Sequence, residues 1–582
     1  MSAPHRRPAP APSLYAYAYA RSLRDATPGS PPPRGGLPLP GTARPAYGEG
    51  ARPPYKKARE IVTGLLHAGL AEPDADRAAA ETERALVATR VREQLVLPTA
   101  AALVPADPAA ARALARRLVR AGTTVHGVAA GLGLLTRLGT PEDVPYLRTL
   151  GWLEDVHRYA VDALDPLDRP AAALLWLTHQ AGNASRPLVE ALTARDSAAV
   201  RERLLGLAGD DRSMGPDEAR RVAEAAGLAD LLDRSPDDTA LLGQALRLLA
   251  RTVTQGDHGA EILDHADGPA LYGTVAARAR LLPPDPGHQA RLVTLAQELH
   301  SGAAHLLDWP PGRRETVLAH LLDAVRPPAE AGRRADWIRR TAGHLRALGP
   351  APGPALAPEP APASAPRLRI EVAVADPAGP TAVETRILVD GRPILPLAFP
   401  QGRGDTPERL IDSGALRAGD EPRPVRLGVT SCAEACCGAL YATVRREGPH
   451  VVWDGWRRPG RPPGLPAYRF DADAYDAEIA RAEHDHAWTW PARHTARLIT
   501  AGLRDRPGIL TRWGLRQGWI STYFRDPDTT VVTFTGPPPD GAGEPRQFLW
   551  HLPDDGSPPG ERAADALRRM SETDPRTLAA RP

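Results

Sequence analysis

Residues 350–366 read PAPGPALAPEPAPASAP, and the change of composition across this stretch decides how the chain is organised. Alternating proline and alanine hold neither a helix nor a paired strand, so the segment predicts an extended, semi-rigid linker. Before it, from Tyr55 to Leu348, no phenylalanine occurs at all. After Arg367 come all five phenylalanines, seven of the eleven tryptophans and all three cysteines. A chain of 582 residues exceeds what one hydrophobic core supports, and the linker is where the division is expected.

N-terminal to the linker the pattern is helical. In KKAREIVTGLLHAGL, Ile61, Leu65 and Leu66 share one stripe, and Gly69 stands near the end. Helix starts are marked by Thr140-Pro141-Glu142-Asp143, Gly215-Pro216-Asp217-Glu218 and Ser235-Pro236-Asp237-Asp238. Each combines a capping or flexible residue, a proline and acids facing the positive end of the helix dipole. GLGLL at 131–135 reads as a glycine-interrupted helix rather than a phosphate loop.

C-terminal to the linker the period changes to two. RLRIEVAVAD, TRILVDG, RPVRLGVT, GALYATVRRE, HVVWDGW, TVVTF and QFLWHLP predict strands. Helices are expected near 473–486, 491–505 and 559–571. The expected fold is thus an all-α, solenoid-like helical repeat domain followed by a smaller α+β domain with a largely antiparallel sheet. The boundaries are 1–54 for a disordered Pro/Ala/Gly-rich tail, 55–349 for the helical domain, 350–366 for the linker and 367–582 for the α+β domain. In the tail, Tyr15, Tyr17 and Tyr19 alternate at period two, which fits a short strand, a docking segment or an unstructured arm.

Two helical segments carry a repeat. GWLEDVHRYAVDAL holds Asp155, Arg158, Ala160, Ala163 and Leu164, and ARDSAAVRERLLGL holds Asp196, Val200, Arg201, Leu204 and Leu205. Both resemble the second helix of a HEAT repeat. Arg158 and Arg201 stand 43 positions apart, within the HEAT period of about 40–47 residues. The resemblance covers residues 107–350 and implies an α-solenoid with a concave binding surface. The C-terminal segments SCAEACCGALYATV, VVWDGWRRP, AEHDHAWTWPAR and FLWHLP resemble parts of uncharacterised actinobacterial proteins, which implies a discrete domain and no particular chemistry.

Charge excludes some partners. The net charge of +2 gives no electrostatic case for nucleic acid or for an anionic membrane. Lys56 and Lys57 are the only lysines among 72 basic residues, a bias that fits a high-GC bacterial genome and makes arginine abundance a poor guide to function. No run reaches the roughly 20 apolar residues of a membrane helix, and the N-terminus has no continuous apolar signal core. Three cysteines do not make a disulfide framework. A cytoplasmic location is expected.

The candidate chemistry is the cysteine cluster. Cys432, Cys436 and Cys437, with His484 or His486 (or His450), could supply the four ligands of a zinc ion, the one cofactor the sequence suggests. The C-x3-C-C spacing is not the paired C-x2-C element, and adjacent side chains diverge. A redox pair, a nucleophile with a histidine base and a structural turn before the ALYATV strand are the other readings, and the structural turn fits best. His258, Glu261 and His265 would share one helical face at i, i+3 and i+7. Trp453, Trp456, Trp488 and Trp490 fit core anchors better than partner-facing residues. No P-loop, zinc-protease, nucleophile-elbow or strand-anchored dinucleotide motif occurs. The expected function is a non-enzymatic scaffold binding an unknown protein partner through a helical-repeat surface. The alternatives are a zinc sensor or enzyme at the cysteines, and a toxin-immunity or regulatory module.

Overall fold

The computed structural model describes residues 12–25, 35–44, 52–180, 185–207, 214–254, 260–326, 331–348, 366–379, 382–430, 438–458, 464–522, 526–537 and 544–579. They form two compact units. The first is Met1–Thr252 with His265–Thr274, and the second is Val253–Asp264 with Val275–Pro582.

Helices follow one another through the first unit: α1 (Leu14–Asp25), α2 (Tyr55–Ala71), α3 (Ala75–Ala88), α4 (Glu93–Ala101), α5 (Pro108–Ala121), α6 (Val125–Leu138), α7 (Val144–Leu150), α8 (His157–Leu164), α9 (Arg169–Gln180), α10 (Arg186–Ala194), α11 (Ser197–Leu205), α12 (Pro216–Ala225) and α13 (Leu228–Arg234). Next come α14 (Thr239–Val253) and α15 (Gly268–Arg278). The starts are chemically explicit. Asp74, Asp107 and Asp196 each accept two backbone N–H groups of the turn they precede. The Gly215-Pro216 signal opens α12 as expected. The Ser235-Pro236 signal lies further upstream of its helix, since α14 begins at Thr239 and Asp238 accepts from Leu241 N at 3.0 Å.

Packing in this unit is largely between near neighbours: α2 meets α3 and α4, α3 meets α5 and α6, α6 meets α8, and α8 meets α9. The glycines of α6 make this possible. A Cβ on Gly131 would fall 2.8 Å from Ala115 O, and one on Gly133 would fall 2.6 Å from Leu97 O. Only hydrogen at these positions lets α5 and α4 approach so closely.

The N-terminal region differs from the disordered tail expected. Its described residues are held. α1 lies on α5 and α7 with Leu14 and Ala18 buried. The three tyrosines sit on a helix, not a strand. Tyr15 and Tyr19 share a face at i and i+4, Tyr15 packs 5.0 Å from the Tyr146 ring, and Tyr17 donates to Pro38 O.

In the second unit, α16 (Pro286–Ser301), α17 (Arg313–Ala324) and α18 (Arg333–Leu348) precede three antiparallel sheets. The first sheet is β1 (Leu368–Val374), β2 (Val383–Val389) and β3 (Arg392–Pro393). After α19 (Ile394–Ala398) comes a five-stranded sheet in sequence order, with β4 (Gly402–Gly404), β5 (Arg423–Thr430), β6 (Ala439–Glu447), β7 (His450–Arg457) and β8 (Tyr468–Asp471). A π-helical turn, Glu408–Asp412, stands between β4 and β5. Helices α20 (Ala472–His484), α21 (Pro491–Asp505) and α22 (Gly508–Thr511) lead to β9 (Arg516–Thr522), β10 (Thr529–Gly536) and β11 (Arg546–Pro553), and α23 (Pro559–Glu572) follows. The order β11-β10-β9 buries Phe534 and Trp550 against α21 and α23.

The molecule therefore has the expected all-α part followed by an α+β part with antiparallel sheets. The proposed linker lies, except for Pro366, outside the described residues. The compact units divide elsewhere, because α16 and α18 are bonded to the first sheet. Trp337 Nε1 donates to Val374 O at 2.9 Å, His300 Nε2 lies 3.0 Å from Glu371, and Arg386 pairs with Glu298.

Candidate functional site

Cys432, Cys436 and Cys437 lie outside the described residues, in the connection between the paired strands β5 and β6. His484 and His486 are described and face different partners. His484, in the last turn of α20, places Nδ1 2.7 Å from Ala480 O. His486 places Nδ1 3.0 Å from Arg497 Nη1 and its ring 5.6 Å from His494. Burial and the Arg497 charge hold its pKa below the usual histidine value. Among the described residues, no three His, Cys, Asp or Glu side chains are placed to hold a metal ion.

The helical face expected for His258, Glu261 and His265 does not form. His258 lies outside the described residues, Glu261 opens a 3-10 turn that ends at Asp264, and His265 stands beyond it. His265 is buried with neither ring nitrogen partnered, and burial together with Arg220 and Arg169 lowers its pKa to about 3.

The tryptophans anchor cores. Trp453 is fully buried among Phe470, Tyr475 and Trp456. Trp488 is buried, and Trp490 donates to Pro527 O at 2.7 Å. Beside them Arg493 grips Glu408 through two bonds of 2.8 Å, and Arg497 grips Asp412 at 2.8 and 2.7 Å. Both guanidiniums also lie over the Trp488 ring. This cluster fastens α21 to the π-helical turn. Beside the buried His300–Glu371 pair, Ser301 also bonds to the Glu371 carboxylate.

In the first unit, residues 35–44 lie as a strap on the helices, extended around Leu37 and turning at Pro40–Ala43, where Ala43 N donates to Pro40 O at 2.8 Å. Leu37 N donates to Trp152 O at 2.7 Å, and Glu154 N donates to Leu37 O at 2.9 Å, a parallel β-bridge to Leu153. Further along, Val125 N donates to Ala43 O at 3.1 Å. The side chains of Leu37 and Ala43 are buried, and Pro38, Gly41 and Thr42 are exposed. Arg44 closes the strap with Glu93 at 2.8 Å and Asp155 at 2.9 Å. Gly36 is required by the contact. Its φ is +90°, and a Cβ would fall 2.4 Å from His179 Cε1 and 2.8 Å from Trp152 O.

The receiving surface is the turn between α7 and α8, where Asp155 adopts φ of 65°, and the histidines beneath it. His179 Nε2 lies 2.7 Å from Gly151 O, and its ring stacks on His157 at 4.1 Å. Main-chain pairing with an apolar side chain seated beside it is one way an extended peptide is read by a folded surface. Sequence reasoning passed over this strap as proline-rich tail. The signal available was the alternation of Leu37 and Leu39 in GGLPLPG.

Among the described residues no helix is long and apolar enough to cross a membrane. Comparison of the chain with protein-family models, with curated proteins and with solved structures finds no match.

Proposed function

We propose that this chain is a non-enzymatic interaction protein whose helical array, of the HEAT-like solenoid kind, binds an extended segment of a protein partner at the surface where residues 35–44 lie. The single observation that carries the reading is the strap itself. One extended peptide already occupies that surface through two bridge hydrogen bonds and a buried leucine. Neighbour-to-neighbour packing from α2 to α9 supports the solenoid part, because stacked helical pairs present long continuous surfaces. In this reading the strap competes with the partner for one groove.

The test uses the full-length chain with Leu37→Asp, which puts a charge into the buried leucine site and releases the strap. A fluorescent peptide spanning residues 34–46 is expected to bind this variant with micromolar affinity and to ignore the wild type. A peptide carrying the same substitution should not bind. Absence of peptide binding to a variant that keeps its helical circular dichroism would sink the proposal.

A further inference from the structure

The second unit carries an open cavity of about 280 Å³ between the π-helical turn and β5, and among the described residues no acidic side chain lines it. Three arginines do: Arg409, Arg423 and Arg426, with Tyr441 beside them. The neighbouring carboxylates are turned away. Glu408 and Asp412, on the same turn as Arg409, each accept a two-pronged bond from α21 through Arg493 and Arg497. Arg409 stands exposed between them, and its side chain makes no hydrogen bond among the described residues.

The other two guanidiniums are already fixed in place. Arg423 Nη2 donates to the carbonyls of Gly414, Ala415 and Arg417 at 3.2, 2.8 and 2.6 Å. Arg426 Nε donates to the buried Asp405 at 2.6 Å. Three cations against one paired carboxylate leave two positive charges over the cavity, and arginine holds its charge at every physiological pH. Sheet register adds a flat wall. Arg426 is opposite Tyr441, and Tyr441 is opposite Arg457, whose guanidinium lies 5.7 Å from the tyrosine ring centre.

Planar, pre-oriented guanidiniums match the oxygens of a phosphate group in geometry as well as charge. The volume is at the low end for small-molecule sites, enough for a phosphate and a modest organic group. We infer that this cavity binds a small phosphate-bearing molecule, with Arg409, Arg423 and Arg426 around the phosphate and Tyr441 along the remainder.

Calorimetric titration of the full-length protein with inorganic phosphate, and separately with pyrophosphate, tests this against sodium acetate at matched ionic strength. Saturable one-to-one binding of both phosphates is expected, with acetate at least tenfold weaker. Arg409→Ala removes an exposed side chain that supports no other contact described, so folding is not at stake. It should weaken phosphate binding roughly tenfold to a hundredfold, the loss of one charge-assisted contact. Tyr441→Phe should leave inorganic phosphate binding within about threefold, because it removes only the hydroxyl and keeps both the aromatic wall and the three guanidiniums. No saturable phosphate binding by the wild type, acetate binding as tight as phosphate, or an Arg409→Ala variant that binds as the wild type does would each overturn the assignment.

Discussion

His157 and His179 stack with their planes 3° apart and their centres 4.1 Å apart, and each Nδ1 is buried without a partner. Two imidazoles in that position fold as neutral rings. Desolvation, the neighbouring His179 ring and Arg158 lower the His157 pKa to about 4, and burial lowers that of His179. A lowered folded-state pKa means that the unfolded chain binds protons first. The stabilisation is therefore complete above the unfolded value near 6.5 and declines as pH falls from there to about 4. Thermal denaturation from pH 7 to pH 4.5 should reveal a loss on the order of 2 kcal/mol attributable to His157. His157→Phe keeps a stacking ring and should flatten that slope. An unchanged slope in the variant would assign the pH dependence elsewhere. None of this was legible in sequence, where the two residues are separate polar positions on different helices.

At the scale of elements, α16 and the first sheet are fastened by Arg386. Its guanidinium reaches Glu298 on α16 and Glu384 on its own strand, and its Nη1 donates to Gln297 O at 3.0 Å. The two carboxylates raise the Arg386 pKa further above its ordinary value, so the charge is permanent. Arg386→Met leaves both acids half-enclosed and unpaired, and we expect urea denaturation to register a loss of about 3–5 kcal/mol in the second unit. A loss below about 1 kcal/mol would mean that the acids find water instead. Capping offers a smaller and more local effect. Asp196 accepts from Ala198 N and Ala199 N at 3.1 Å, so Asp196→Ala should cost roughly 1 kcal/mol, read as earlier melting of the first unit. Starts such as Gly215-Pro216 were visible in sequence because they depend on residues two or three positions apart, whereas the Asp74, Asp107 and Asp196 caps were not singled out there. The strands β1, β2, β5, β6, β7, β10 and β11 were visible for a similar reason, their side chains alternating. The edge strands β4 and β8 and the strand β9 were not, because RQGWIST and YRFD carry too few alternating apolar residues to stand out.

For the whole molecule, the composition break at 350–366 and the packing give different divisions. Helices α16 and α18 precede the break yet bond to residues that follow it, through Trp337 to Val374, His300 to Glu371 and Arg334 to Asp376. A protease site placed at Ala357–Pro358 should therefore cut the chain without separating the pieces, which should elute together in gel filtration under native conditions. Fragments that part on cutting would show that these bonds do not hold the second unit together. The N-terminal strap makes a second claim at this scale. Leu37→Asp should speed proteolytic cleavage within residues 35–44 at least tenfold while leaving helical circular dichroism unchanged. Equal cleavage rates in variant and wild type would argue that the strap is not held by its leucine.

Local chemistry in the sequence determined much of which segments are helix and which are strand, where a few of them start, and that a helical part precedes an antiparallel one. Those features depend on periods of two or 3.6 residues and on caps within one turn, all of them short-range. Tertiary structure alone decided that Gly36 must be glycine, since its neighbour His179 is far along the chain. It also gathered Arg409, Arg423 and Arg426 around one cavity, in a sequence where arginine is too common to mark a site. Side chains distant in sequence acquire a joint chemistry only when packing fixes their separation, and that separation is set by the whole fold rather than by any window of residues.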